Sequence, residues 1–179
     1  MARRGIKSLH MSRGLLSLIC VSFILILSSN AYAAMVSVTS REIIDKTELC
    51  DIDLNIPVIN GMKNSTFQDK LNSLFEERII EFAKDIEDSA KEDEEYFKKY
   101  DIPFRTYAAY TRFEVTYIDD ELISLSLTYY CYTGGAHGMT YREPYNIDLR
   151  SETLLELNDL FDAEGDYKSI INKEIRRQM

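Results

Sequence analysis

Histidine is almost missing from this chain. There are two in 179 residues, and once the N-terminus is set aside only His137 remains. Cysteine is nearly as scarce, with Cys50 and Cys131 left after the same exclusion. One imidazole and two thiols cannot make a four-ligand zinc site without carboxylates, and no ligand spacing supports one. No G-x-S-x-G, no G-x-x-x-x-G-K-[ST] and no G-x-G-x-x-G occurs, so nucleophile-elbow and phosphate-loop chemistry lack their motifs. Outside the N-terminal segment, no serine lies close to His137 in sequence. There is no low-complexity linker, no internal repeat and no basic excess: 21 Lys and Arg stand against 30 Asp and Glu, a net charge of −9. That sign disfavours nucleic acid and anionic wall polymers. Thirty acids make chance carboxylate pairs inevitable, so glycoside-hydrolase chemistry gains nothing from them.

The N-terminus has a targeting pattern. Arg3, Arg4, Lys7 and Arg13 precede a hydrophobic run from Leu15 to Leu27, broken only by Ser17 and Ser22. Ser28-Ser29-Asn30 follows, and Ala31-Tyr32-Ala33 fits the small-x-small cleavage rule. A helix over that run would span about 20 Å, short for a bilayer core. Residues 1–33 are therefore read as a secretory signal, or as a membrane anchor if uncleaved, and the protein as exported. Residues 34–179 then form one domain, with a chain end that looks truncated within a helix. Without the signal, 17 basic residues face 30 acidic ones, about −13. Such a surface steers a basic partner protein; it also keeps an exported protein soluble.

Along the remainder, Val36 to Ile59 reads as extended. Ile52, Leu54, Ile56 and Val58 alternate with polar residues, and Pro57 marks an edge or a strand end. Ser65-Thr66-Phe67-Gln68 matches a capping box that opens a long helix. Phe67, Leu71, Leu74, Phe75, Ile79, Phe82 and Ile86 recur on one face of it. The pairs Glu94–Lys98 and Glu95–Lys99 extend it towards Pro103, before which it must stop. Residues 103–133 read as a hairpin. A three-residue loop, Asp119-Asp120-Glu121, would set Tyr117 opposite Ile123, Val115 opposite Leu125 and Phe113 opposite Leu127; a loop of five keeps the same parity. Tyr141 to Leu149 is a further strand, with Pro144 at an edge or interruption. A short helical turn lies near Asn158, and Asp166 caps a last helix with Tyr167, Ile170, Ile171 and Ile175 on its inner side. The expected architecture is α+β: an antiparallel sheet of three to five strands, the long helix packed on one face, and a C-terminal helix. The helix face would meet Val115, Leu125 and Leu127.

The candidate site is the loop Thr133-Gly134-Gly135-Ala136-His137-Gly138, which follows the tyrosine-rich stretch Tyr129–Tyr132. Its glycines permit a close backbone approach, and His137 can hydrogen-bond or titrate near neutral pH. Gly134, Gly135, His137 and Gly138 are candidate ligand-binding residues; the competing reading is a tight strand connection. No catalytic residue, metal or cofactor is assigned. Cys50 and Cys131 each sit in a strand-like segment. Outside the cytoplasm they could bond, or stay two buried thiols.

The string Tyr132-Thr133-Gly134-Gly135-Ala136-His137-Gly138 resembles the hallmark of a bacterial envelope family of unknown function. That family comprises the N-terminal accessory domain of PdaC-type peptidoglycan deacetylases and the ectodomain of a lysozyme-sensing anti-sigma factor. Ile56-Pro57-Val58-Ile59-Asn60-Gly61, Asn146-Ile147-Asp148-Leu149 and Leu155-Glu156-Leu157-Asn158-Asp159-Leu160-Phe161 fit the same family in the same order. The resemblance implies an exported accessory module that binds a cationic protein such as lysozyme, or cell-wall peptidoglycan. Deacetylation in such proteins belongs to a separate domain with several metal-binding histidines. A small envelope hydrolase working through His137 is the alternative.

Overall fold

The computed structural model describes residues 35–161 and 165–179. The segment read as a signal, residues 1–33, lies outside them. Six strands form one sheet whose spatial order follows the chain: β1 (Ser37–Lys46), β2 (Cys50–Asn60), β3 (Tyr107–Ile118), β4 (Leu122–Tyr132), β5 (Met139–Asp148) and β6 (Thr153–Leu155). The long helix α1 (Ser65–Lys99) lies between β2 and β3 in sequence, and a second helix α2 (Tyr167–Gln178) ends the chain. The class is α+β as expected, but the sheet is larger and is mixed. β2 and β3 run parallel while every other neighbouring pair is antiparallel. A parallel pair needs a crossover connection, and the 35-residue α1 provides it.

The stretch from Val36 to Ile59 is a hairpin rather than one extended run. Thr47 closes its turn: the Cys50 N–H donates to Thr47 Oγ1 (2.9 Å) and the hydroxyl donates to the Cys50 carbonyl (3.0 Å). On β2, Cys50, Ile52, Leu54 and Ile56 are buried; the phase then slips at Pro57 and Ile59 is buried instead. The slip falls where β2 has left β3, since their pairing covers only Cys50–Asp53. Side chains take over the vacated edge. Asn55 N–H donates to Thr111 Oγ1 (3.0 Å), and the Asn72 amide from α1 pairs with both backbone groups of Ile59, at 2.8 and 3.0 Å. Asn72 thus substitutes for a strand. Asn72→Ala should cost about 1–3 kcal/mol, because a buried N–H and C=O lose their partners together. Asn72→Asp keeps an acceptor for the N–H and should cost less. Denaturant unfolding of the two variants measures the difference.

Helix α1 begins one residue earlier in its cap than the capping box implies. Asn64, not Ser65, is the N-cap, its Oδ1 accepting from Phe67 N–H at 3.1 Å. Gln68 does reach back, but to the Met62 N–H (3.0 Å). At the far end Ile102 N–H donates to the Phe97 carbonyl (2.9 Å) and Asp101, at φ 54°, donates to that of Lys98 (3.4 Å). This is a Schellman termination with aspartate in the left-handed position, and Pro103 follows it. Leu71, Phe75, Ile79, Ala83 and Ala90 form the buried stripe of α1, with Phe67, Leu74, Phe82 and Ile86 partly buried beside it. They share one cluster with Leu125 and Leu127, against which Val115 also packs.

The hairpin register agrees with expectation at Phe113–Leu127 and Val115–Leu125, and three residues separate the strands. A bulge between Val115 and Tyr117 then moves Tyr117 opposite Ser124 and Ile118 opposite Ile123. One extra residue inverts the remaining side chains. Tyr117 is accordingly half exposed rather than facing the core with Val115. The other correction concerns α2. Asp166 caps it as expected, accepting from Ser169 N–H at 3.1 Å, but its apolar side is not an inner side. No residue of α2 is buried, and Ile170 and Ile175 are 56% and 50% exposed.

Candidate functional site

The glycine loop connects β4 to β5 at one end of the sheet, and flanking side chains hold its backbone carbonyls. Gly134 has φ +79°, a conformation that disfavours a side chain. Arg105, just before β3, donates through Nη1 to the carbonyls of Gly134 (3.2 Å) and Gly135 (3.3 Å). The Tyr132 hydroxyl donates to the Gly135 carbonyl at 3.0 Å. Gly138 serves close approach: a Cβ there would lie 2.5 Å from two ring carbons and the hydroxyl oxygen of Tyr130. Around Gly135 a Cβ would meet nothing within 4 Å. The four loop residues singled out from sequence thus lie in one short connection, in which Gly134 and Gly138 have physical reasons to be glycine and Gly135 has none.

His137 is exposed, and its Nδ1 lies 3.1 Å from the Gly138 carbonyl. That bond orients the ring, but it pairs the imidazole with no carboxylate, hydroxyl or thiol. Acid–base work needs such company within hydrogen-bond reach. Among the described residues no group of three or more His, Cys, Asp or Glu side chains is placed to hold a metal ion.

Behind the loop the tyrosines connect strand to strand. Tyr130 stacks on Tyr110 at 5.6 Å, and the Tyr110 hydroxyl donates to Asp51 Oδ2 at 2.9 Å. Burial, then the bond to Asp51, raises the Tyr110 pKa. Gly138, Tyr130, Tyr110 and Asp51 thus form a line of contacts from the end of the glycine loop through β4 and β3 to β2. On the helix side Tyr107 donates to Asp93, and burial with that bond pushes its phenol up to about 12. A second network lies between α1 and β5. Glu143 Oε2 accepts from Arg78 (3.1 Å), Tyr145 (2.9 Å) and, more weakly, Tyr129 (3.4 Å). Burial raises the Tyr129 phenol strongly, and burial followed by the Glu143 bond pushes Tyr145 to about 12. These phenols stay protonated at neutral pH and act as hydrogen-bond donors, so they fasten the sheet and helix and offer no nucleophile.

Sequence reasoning missed Arg105, Tyr130 and Glu143. Arg105 lies 29 residues from the carbonyl it binds, and nothing local marks it. Tyr130 carried a signal, since its place one residue after buried Tyr129 puts it on the opposite face of the same strand.

Both cysteines are free. β3 stands between them, with Cys50 opposite Tyr107 and Cys131 opposite Ala109. Two strand spacings separate them by roughly 10 Å, beyond the about 7 Å that a disulfide can span. Burial raises the Cys50 thiol to about 11. A native thiol titration at pH 8 should therefore modify Cys131 and leave Cys50 untouched until denaturant is added. The raised thiol also has a stability sign. The unfolded thiol ionises first, so its contribution is intact below the ordinary thiol range and is lost as pH climbs towards 11.

No helix among the described residues is long and apolar enough to cross a membrane. Residues 43–140, which run from within β1 through the glycine loop, match the family model described as Deacetylase PdaC. The peptidoglycan-N-acetylmuramic acid deacetylase PdaC of Bacillus subtilis (strain 168) is 23% identical over 114 residues, 64% of this chain and 22% of that protein. The chain thus spans about a fifth of that relative's length. A crystal structure of a member of the duf3298 family from Bacteroides fragilis NCTC 9343 superposes with a TM-score of 0.60 at 23% identity. That match covers 82% of this chain and 68% of the other, and it shows a shared fold.

Proposed function

The chain belongs to the Deacetylase PdaC family, and from that we propose that it is a non-catalytic, exported binding module of the bacterial cell envelope with a cationic protein of the lysozyme kind as its ligand. The deacetylase activity in the relative's name is not carried over. The match takes in 22% of that protein, and among the described residues His137 has only a neighbouring carbonyl as a hydrogen-bond partner.

The observation that carries the reading is the charge on α1. The helix holds eleven Asp and Glu against six Lys and Arg. Several acids are neutralised locally, as Glu94 is by Lys98 (3.1 Å) and Glu76 by Arg41 (2.6 Å). Glu77, Glu81, Asp85, Glu92 and Glu95 have no ion pair among the described residues, and all five are exposed. An exposed helix face 35 residues long, roughly 50 Å at 1.5 Å per residue, gives a field that speeds and orients the approach of a cation. Wall polymers of like sign gain nothing from it.

The test is titration of the purified protein with lysozyme, with insoluble peptidoglycan in parallel. Lysozyme should bind with an affinity that falls as salt rises. Glu77→Lys with Glu81→Lys and Glu92→Lys should weaken it by about tenfold or more. His137→Ala should bind as the parent does. No salt-sensitive association with lysozyme would remove the reading, and enrichment on peptidoglycan alone would replace the ligand with a wall component.

A further inference from the structure

We infer that α2 is a docking helix for an anionic lipid surface. Its apolar face is largely uncovered within the described chain: nothing in the helix is buried, Tyr167 and Ile171 are only partly covered, and Ile170 and Ile175 are at least half exposed. At 100° per residue, Tyr167, Ile170, Ile171 and Ile175 occupy an arc of roughly 140°. The apolar surface extends beyond the helix. Phe161 stacks on Tyr167 at 5.4 Å, and exposed Leu157 and Leu160 immediately precede it.

Charge selects the occupant. α2 carries Lys168, Lys173, Arg176 and Arg177 against Glu174 alone, in a protein that is otherwise strongly acidic. Lys168 and Arg177 fall at the two borders of the apolar arc, where a long cationic side chain can reach headgroups while the helix lies flat. Lys173 and Arg176 stand on the opposite side. Glu174 projects within the arc, but its carboxylate is occupied by Arg177 Nε (2.8 Å) and Gln178 Nε2 (2.9 Å). Those bonds, Arg177 first, lower its pKa. Asp166 is taken up as the N-cap. A soluble polyanion would satisfy the cations and leave the isoleucines in water; a neutral apolar partner would do the reverse. An anionic bilayer surface covers both, which is the pattern of an interfacial helix. The acids on α1 are screened beyond a Debye length of about 8 Å at physiological salt.

Amide hydrogen exchange over Tyr167–Gln178 in the full chain reads this helix alone, whatever the N-terminal segment does. Phosphatidylglycerol vesicles should slow exchange there by about tenfold or more, and phosphatidylcholine vesicles should not. Ile170→Asp with Ile175→Asp should abolish the slowing. Lys168→Glu with Arg177→Glu should abolish it while keeping the apolar arc, and the amides of β3 and β4 should be unchanged in both. The inference is overturned by three results: unprotected α2 amides on phosphatidylglycerol, equal protection by soluble polyphosphate, or protection that grows with protein concentration without lipid. The last would make a second copy of the chain the occupant.

Discussion

Phe75→Ala should be the most damaging single substitution in the protein, lowering stability by about 3–5 kcal/mol. The expectation comes from position before chemistry. Phe75 is 0% exposed, and it sits in the buried stripe of α1 between Leu71 and Ile79. The helix reaches the sheet through this stripe, and the small Ala83 and Ala90 further along have little volume with which to fill a gap. The ring meets Tyr145 edge to face at 5.1 Å, a geometry worth about 0.5–1.5 kcal/mol beyond its area. Removing it also loosens Tyr145, whose hydroxyl donates to Glu143, which in turn holds Arg78 on α1. The cavity would therefore open beside a polar network whose members are costly to leave unpaired. A domain of this size has only about 5–15 kcal/mol in total. The variant should unfold at a much lower denaturant midpoint with an unchanged slope. Phe75→Leu, which keeps most of the volume, should recover much of the difference. A loss under about 1 kcal/mol for the alanine variant would contradict the packing described for α1.

Phe75 was legible before the structure because a 3.6-residue period marks a face without reference to its partner. The same holds for alternation on β2 and β4, and for the parity argument that placed Val115 opposite Leu125. What could not be read is whatever depends on which strands are neighbours. Cys50 and Cys131 both lie in strands, but only the strand order reveals that β3 separates them. The parallel pairing of β2 with β3 leaves no local trace. The bulge before Tyr117 adds one residue where the apolar pattern is already fading into the turn. Asn64 and Ser65 are both good caps, and the choice between them rests on a backbone angle. Asn72 looks like a polar residue on a helix flank, and its service to Ile59 is visible only when the edge of β2 is in view. On α2 the period was real and the burial was not, since periodicity reports an apolar face and says nothing of what covers it.

Gly138→Ala should cost about 1–3 kcal/mol, the range for forcing volume into a packed site, and it separates the two readings of the glycine loop. Its Cβ would stand 2.5 Å from Cε2, Cζ and Oη of Tyr130, so one of the two must move. Tyr130 is poorly free to do so. It stacks on Tyr110, which is fastened to Asp51, so displacing the ring disturbs contacts across three strands. Tyr130→Ser should therefore relieve the strain, and the double variant should be less destabilised than the two single costs together. Gly134→Ala should cost about 1–2 kcal/mol for a different reason, its φ of +79°, with Tyr107 3.3 Å from the new atom. Gly135→Ala enters open space, and His137→Ala removes an exposed ring; both should stay within about 0.5 kcal/mol. This ordering, Gly138 first and His137 last, is what a braced strand connection predicts in thermal and denaturant unfolding. Ligand binding provides the opposing measurement. If His137→Ala and Gly135→Ala leave the fold intact but abolish association with lysozyme or peptidoglycan, then the open side of the loop contacts ligand. In that case the acidic face of α1 serves approach alone.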